Sequence, residues 1–249
     1  YKVWGIHCNE LSPDWGAQRV KGLSIWKILL HALKPKKKDI EQKDVETSLI
    51  GQFLYPPHGP GQLWETVADK VVEKGGAIHF KQKVVELVTE GDRVTGVVSI
   101  DEDGKRHTWD ADHVFSSMPI RSLVRSLGAS VPEKCSALAD ELEYRDFFTV
   151  GLLLKDLALK EKDGSEVRDN WIYVHDPRVT VGRLQLFHNW SPYMVNDPDT
   201  SWVGLEYFCS DKDDVWHAST EELIAKAAKE LEILGVAKAS DVISGCRIH

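Results

Sequence analysis

The chain has 249 residues and a formal net charge of −8, with apolar and charged fractions typical of an ordinary globular protein. That charge argues against nucleic acid as a partner, because neutralising a phosphate backbone needs a basic face. The four cysteines, Cys8, Cys135, Cys209 and Cys246, include no close pair. This spacing rules out a zinc ribbon and gives no disulfide framework, so a reduced, cytoplasmic setting is expected. No apolar run approaches the roughly 20 residues needed to cross a bilayer. Nine tryptophans is a high count, read either as additional core aromatics or as an aromatic-lined substrate cavity.

In chain order, Tyr1 to Gly51 is expected to be mostly helical. Ser12-Pro13-Asp14 places a capping residue before a proline at the first helical position. Apolar residues recur at Val20, Leu23, Trp26, Leu30 and Leu33, and the basic run Lys34-Pro35-Lys36-Lys37-Lys38 then stops the helix. Val20 to Lys38 has an alternative reading as a membrane-surface segment. Tyr55-Pro56-Pro57-His58-Gly59-Pro60-Gly61 is a rigid turn. It feeds a helix from about Gln62 to Glu73 with Leu63, Val67 and Val71 on one face, ended by Gly75-Gly76 before a short strand at Ala77 to Phe80.

From Lys83 the pattern changes to short strands with tight turns. Lys83 to Thr89 and Val94 to Ile100 flank Glu90-Gly91-Asp92, the Asp103-Gly104 hairpin signal precedes Thr108 to Ala111, and Val114 to Pro119 reads as a strand ending at proline. Ser122 to Leu127 and Glu133 to Leu142 are helical. Strands are then expected at Phe147 to Leu154, Trp171 to His175, Gly182 to Asn189, Trp202 to Cys209 and Val242 to Cys246, forming a mixed or antiparallel sheet. Ser219-Thr220-Glu221-Glu222 is a capping box, opening a helix that carries Leu223, Ala227, Leu231 and Leu234 and ends at Gly235.

Much familiar chemistry is missing from the sequence. It has no G-x-G-x-x-G opening a βαβ unit, no P-loop, no nucleophile elbow and no metal-ligand spacing, and the ten histidines are scattered. What remains is a composite. The run from Pro57 through Pro119, with its glycine-containing turn, helix, Gly-Gly, "KVVELVTEGDRVTGVV", hairpin and "ADHVFSSMP", resembles the middle of flavin amine oxidases, protoporphyrinogen oxidases and phytoene desaturases. The stretches "KVWGIHCNELSPDWGAQRVKGLS" and "YVHDPRVTVGRLQLFHNWSPYM" are similar to bacterial proteins related to UDP-galactopyranose mutase. His7 departs from that pattern, standing where related chains prefer proline.

The resemblance implies an α/β, mixed α+β fold in three parts. Residues 1–54 would be a helical segment of the substrate or cap region, 55–125 part of an FAD-binding Rossmann-like domain with an inserted three-stranded meander, and 126–249 a substrate domain with a mixed sheet and flanking helices. It implies FAD as cofactor, with Val84 offering backbone groups to the adenine edge and Ser116, Ser117, Met118 and Pro119 near the adenosine and pyrophosphate. Arg183 matches an arginine that contacts a nucleotide-sugar diphosphate beside the flavin, and its planar donors suit phosphate oxygens. An ion pair at the surface or between domains is the other reading of Arg183. Trp190 either lines the same cavity or packs in the core. No catalytic residue is assigned.

The implied reaction is hydride transfer to flavin or, if the mutase likeness extends to function, a redox-neutral sugar ring contraction serving cell-surface polysaccharide synthesis. Alternatives are an oxidase or desaturase of a porphyrinogen, isoprenoid or amine, and a flavoprotein that binds its ligand without turnover. The chain starts at Tyr1 and stops at Ile248-His249 after a strand-like run. Both ends are expected to be cuts within a longer protein, and the chain alone is expected to bind FAD poorly.

Overall fold

A computed structural model describes residues 2–7, 9–14 and 54–248. The helix expected over most of Tyr1 to Gly51, including Val20 to Lys38, lies outside the described residues apart from its start. There the Ser12 hydroxyl accepts a hydrogen bond from the Asp14 amide at 3.3 Å, as a capping residue does. The chain divides into two compact units, one of Tyr1–Glu65 with Arg145–His249 and one of Thr66–Tyr144. The division falls within the first described helix, α1 (Gly61–Glu73), none of whose residues is buried.

The Thr66–Tyr144 unit is built on a meander of β1 (Lys83–Glu90), β2 (Arg93–Ile100) and β3 (Arg106–Asp110), antiparallel throughout. Leu87 and Val98 are both buried although the register places them on opposite faces of this sheet, while α2 (Ile120–Ser126) and α3 (Glu133–Asp140) contribute Ser126 and Ala139 to the buried set. The second turn is locked by Asp101, whose carboxylate accepts from the amides of Asp103 and Lys105 at 3.1 and 2.9 Å and pairs with His107 at 2.7 Å. These bonds, the His107 one foremost, hold the Asp101 carboxyl below the usual carboxylate range. The strands expected at Ala77 to Phe80 and Val114 to Pro119 do not form. Strand status requires a ladder, and no partner strand lies beside either run among the described residues.

The other unit holds a five-stranded sheet of order β5-β6-β7-β4-β8. Its strands are β4 (Asp146–Leu154), β5 (Trp171–Tyr173), β6 (Arg183–Leu186), β7 (Ser201–Cys209) and β8 (Val242–Ile248). Every pairing is antiparallel, one of the two arrangements the sequence left open. Two strands are shorter than expected. β5 stops at Tyr173, and after Leu186 the chain turns into the single helical turn α4 (Phe187–Trp190) instead of running extended to Asn189. The Asn189 amide fixes that turn by donating to the carbonyls of Val167 and Asp169 at 2.9 and 2.8 Å.

One face of this sheet is the core. Phe148, Val150, Leu152 and Leu154 from β4, Val203, Leu205 and Tyr207 from β7, and Leu184 and Leu186 from β6 are buried with Leu223, Ala227 and Leu231 of helix α6 (Thr220–Leu234). A shorter helix, α5 (Asp214–His217), precedes α6. The capping box forms as its sequence predicts: Ser219 accepts from the Glu222 amide and Glu222 accepts from the Ser219 amide. Gly235 closes the helix in the left-handed conformation, with φ of 71°, where a side chain would be strained.

A buried carboxylate ties this core together. Glu230 of α6 accepts from the Thr180 amide and hydroxyl at 2.9 and 2.8 Å, the Val181 amide at 3.0 Å and the Tyr207 hydroxyl at 3.1 Å. Lys226 pairs with it at 3.1 Å, one helical turn away. Burial opposes its charge, but the bonds from Thr180, Val181 and Lys226 prevail and hold its pKa below the ordinary glutamate value. Burial, reinforced by Glu230, raises the Tyr207 phenol. Because the folded pKa of Glu230 is depressed, its stabilisation is present above the unfolded value and is lost as pH falls through the folded one. Glu230→Gln is predicted to destabilise the chain by about 2–4 kcal/mol in urea at neutral pH. The variant should also lose part of the acid-side fall in stability, and an unchanged acid limb would count against the assignment.

Candidate functional site

The opposite face of the five-stranded sheet carries the polar and aromatic side chains. In β6, Leu184 and Leu186 point to the core, which sends Arg183 and Gln185 to the other side. Register sets Arg183 opposite Glu206 of β7 and Tyr173 of β5, and Gln185 opposite Gly204 and Trp171. The result is a small lattice of facing side chains on neighbouring strands.

Glu206 is its centre. The residue is 2 % exposed. One carboxylate oxygen accepts from Arg183 Nε at 2.6 Å and Nη2 at 2.5 Å, while the other accepts from Gln185 Nε2 at 2.5 Å. Gln185 then uses its own carbonyl oxygen to accept from the Trp190 indole N–H at 3.1 Å. Arg183 and Trp190, singled out separately in the sequence, are therefore joined through two residues that the sequence reading missed.

Aromatic rings wall in the same region. The Arg183 guanidinium carbon lies 5.3 Å from the Trp171 ring centre, 5.6 Å from Tyr173 and 5.8 Å from Phe208. Trp190 meets Trp171 at 5.2 Å and stacks on Tyr55 at 5.0 Å, so the rigid turn that begins at Tyr55 packs here. The Tyr55 hydroxyl reaches the Met194 sulfur at 3.8 Å. Gly204 makes room for this crowding, since an added Cβ would lie 2.9 Å from the Phe187 ring.

The electrostatics follow from this geometry. Burial works against the charge on Arg183, and its contacts with Glu206 outweigh that, so its pKa is raised and it stays a cation. His188 on α4 has its pKa lowered by burial, which leaves it neutral at neutral pH. The charge of the face thus resides in the Arg183–Glu206 pair. Nη1 of Arg183 makes a 3.5 Å contact with the Tyr173 hydroxyl, long for a hydrogen bond, and retains donor capacity for a ligand.

The remaining sequence candidates belong to the Thr66–Tyr144 unit. Val84 is half-buried in β1 opposite Ser99, beside a register shift between Val84 and Glu86. β1 is an edge strand of its sheet, so its outer backbone groups face away from the ladder. Ser116, Ser117 and Pro119 are exposed and Met118 is half-buried. Ser116 turns its hydroxyl back to accept from the Met118 amide at 3.3 Å, and Pro119 leads into α2.

The family model for flavin containing amine oxidoreductases matches residues 27–247, nearly the whole chain. The chain belongs to this family. Membership of the family implies binding of a flavin, FAD. Among solved structures it is similar to reduced UDP-galactopyranose mutase, at 16% identity and a TM-score of 0.61, covering 78% of this chain and 39% of that one. It is also similar to an oxidoreductase from Methanosarcina mazei, at 14% identity and a TM-score of 0.55, over 77% and 42% of the two chains. A putrescine oxidase variant matches at 15% identity and a TM-score of 0.52, over 77% and 38%. At such identities the likeness is one of fold, and the chain spans about two fifths of the length of those structures. No curated protein matches it by sequence. No helix among its described residues is long and apolar enough to cross a membrane, and none of its described histidine, cysteine and acidic residues form a group able to hold a metal.

Two substitutions test the lattice. Trp190→Phe keeps the ring stacks and removes one hydrogen bond, so it is predicted to cost about 1 kcal/mol in urea denaturation. Trp190→Ala also removes the stacking on Tyr55 and Trp171 and is predicted to cost about 3 kcal/mol. Equal losses for the two would show that the rings contribute nothing.

Proposed function

We propose that this chain supplies the substrate-binding face and part of the adenosine-binding surface of an FAD-dependent enzyme acting on a nucleotide-sugar. The observation that carries this reading is the orientation of Arg183. A 2 % exposed carboxylate holds its Nε and Nη2, and its Nη1 end remains able to donate among the rings of Trp171 and Tyr173. A phosphate oxygen suits that end of a guanidinium, and the rings offer apolar faces to a base or sugar. The fold-level likeness to UDP-galactopyranose mutase supports the same substrate class.

The residues present fit FAD in part. The open outer edge of β1 at Val84 suits recognition of adenine by backbone donors and acceptors, and the small, exposed Ser116 and Ser117 allow backbone to approach a cofactor closely. Met118 and Pro119 complete that turn. The pyrophosphate has no glycine-rich βα turn in this sequence to receive it. Bound flavin supplies the redox or nucleophilic chemistry. The residues of this chain bind and orient: Arg183 takes the anionic group, Glu206 and Gln185 hold Arg183 in register, and Trp190 and Trp171 form the wall. A small-molecule substrate and a cytoplasmic location belong to the same proposal, as does a role in cell-surface polysaccharide synthesis.

The test has two arms. The full-length protein should purify yellow, whereas this chain alone should be colourless; a colourless full-length protein that takes up no added FAD would sink the cofactor assignment. UDP should bind the full-length protein in calorimetry, and Arg183→Ala should weaken it by about tenfold or more. An unchanged affinity in that variant would remove the nucleotide-sugar reading.

A further inference from the structure

The surroundings of Arg183 have a composition of their own when the arginine is set aside. They consist of one carboxylate with almost no access to water and three aromatic rings, Trp171, Tyr173 and Phe208, each within 6 Å of a single point. Aromatic faces carry negative potential, and a buried carboxylate requires a positive partner, so this set is complementary to a planar or small organic cation. One Glu206 oxygen is held by the two arginine donors and the other by Gln185, whose side chain is fixed in turn by Trp190. One oxygen of the carboxylate therefore keeps its partner when Arg183 is absent.

In a family described as amine oxidoreductases, a carboxylate among aromatic rings is a natural place for a substrate ammonium to settle. Here the cation comes from the chain. We propose that Arg183 is a specificity-determining residue, occupying from within an aromatic and carboxylate site for an organic cation and so turning amines away from this face. The same side chain that excludes a cation offers Nη1 outward, which reverses the sign of ligand the face accepts. This inference stands apart from the nucleotide-sugar reading, because it concerns what the cage holds when Arg183 is absent and its test uses neither nucleotide nor flavin.

Arg183→Ala removes the atoms beyond Cβ, which correspond to N-ethylguanidinium. The full chain carrying Arg183→Ala is titrated with N-ethylguanidinium by calorimetry at low salt, beside the unaltered chain and the double variant Arg183→Ala/Glu206→Gln. Saturable binding to Arg183→Ala, about tenfold or more tighter than to the other two, is the expected result. N-ethylurea, similar in shape but neutral, should not bind. Binding no tighter than to the unaltered chain, or equal binding of the urea, overturns the proposal. If Arg183→Ala does not fold because Glu206 is left unpaired, it is refolded in N-ethylguanidinium, in N-ethylurea and in sodium chloride at equal concentration. Recovery confined to N-ethylguanidinium supports the proposal, and no recovery, or equal recovery in all three, overturns it.

Discussion

The interaction on which the sheet and its polar, aromatic face depend is the clasp of Glu230. It reaches from α6 to the amides of Thr180 and Val181 and to the hydroxyl of Tyr207, so it fixes the loop that leads into β6 and one residue of β7 at once. Tyr207 and Glu206 are neighbours on a strand, and the pleat sends them to opposite faces. Holding Tyr207 in the core therefore determines where Glu206 points. The antiparallel register then brings Arg183 alongside it. A slip of one residue in β7 would exchange its two faces, sending Glu206 among the apolar residues of the core and taking Tyr207 away from Glu230.

The two buried carboxylates show how one residue type serves different ends. Glu230 is saturated by backbone and hydroxyl donors, which confines it to a structural role. Glu206 receives only side-chain donors, from Arg183 and Gln185, and those side chains continue to the ring wall. The first carboxylate makes the loop rigid, and the second transmits that rigidity to a guanidinium.

Sequence reasoning reached the local devices and stopped at the long-range ones. The capping box at Ser219 and Glu222, the left-handed Gly235, the meander and its Asp103-Gly104 turn all follow from neighbours within a few residues, and all are present. Arg183 and Trp190 were singled out through a resemblance. Glu206 was not, because an acidic residue in "VGLEYFC" reads as the exposed member of an alternating strand, and only pairing with a strand 23 residues earlier buries it. Gln185 was missed for the same reason. The strands expected at Ala77 to Phe80 and Val114 to Pro119 had correct local patterns, but a pattern supplies no partner, and Phe115 is 98 % exposed. The chain beyond Leu186 erred in the other direction: its residues suit a strand, yet the bonds of Asn189 and the fit of Phe187 against Gly204 fold it into a turn.

The closeness of Trp171 and Trp190 gives the face an optical property. Their indoles lie 5.2 Å apart, Trp171 is nearly half exposed, and the Arg183 cation stands over one of them. Emission from a tryptophan depends on the charges and polarisable groups around its ring, and excitation passes readily between indoles at this separation. A ligand that shifts the guanidinium or displaces water from Trp171 must therefore change the intrinsic fluorescence of the protein. The pair of rings is thus a built-in reporter of any ligand that reaches this face.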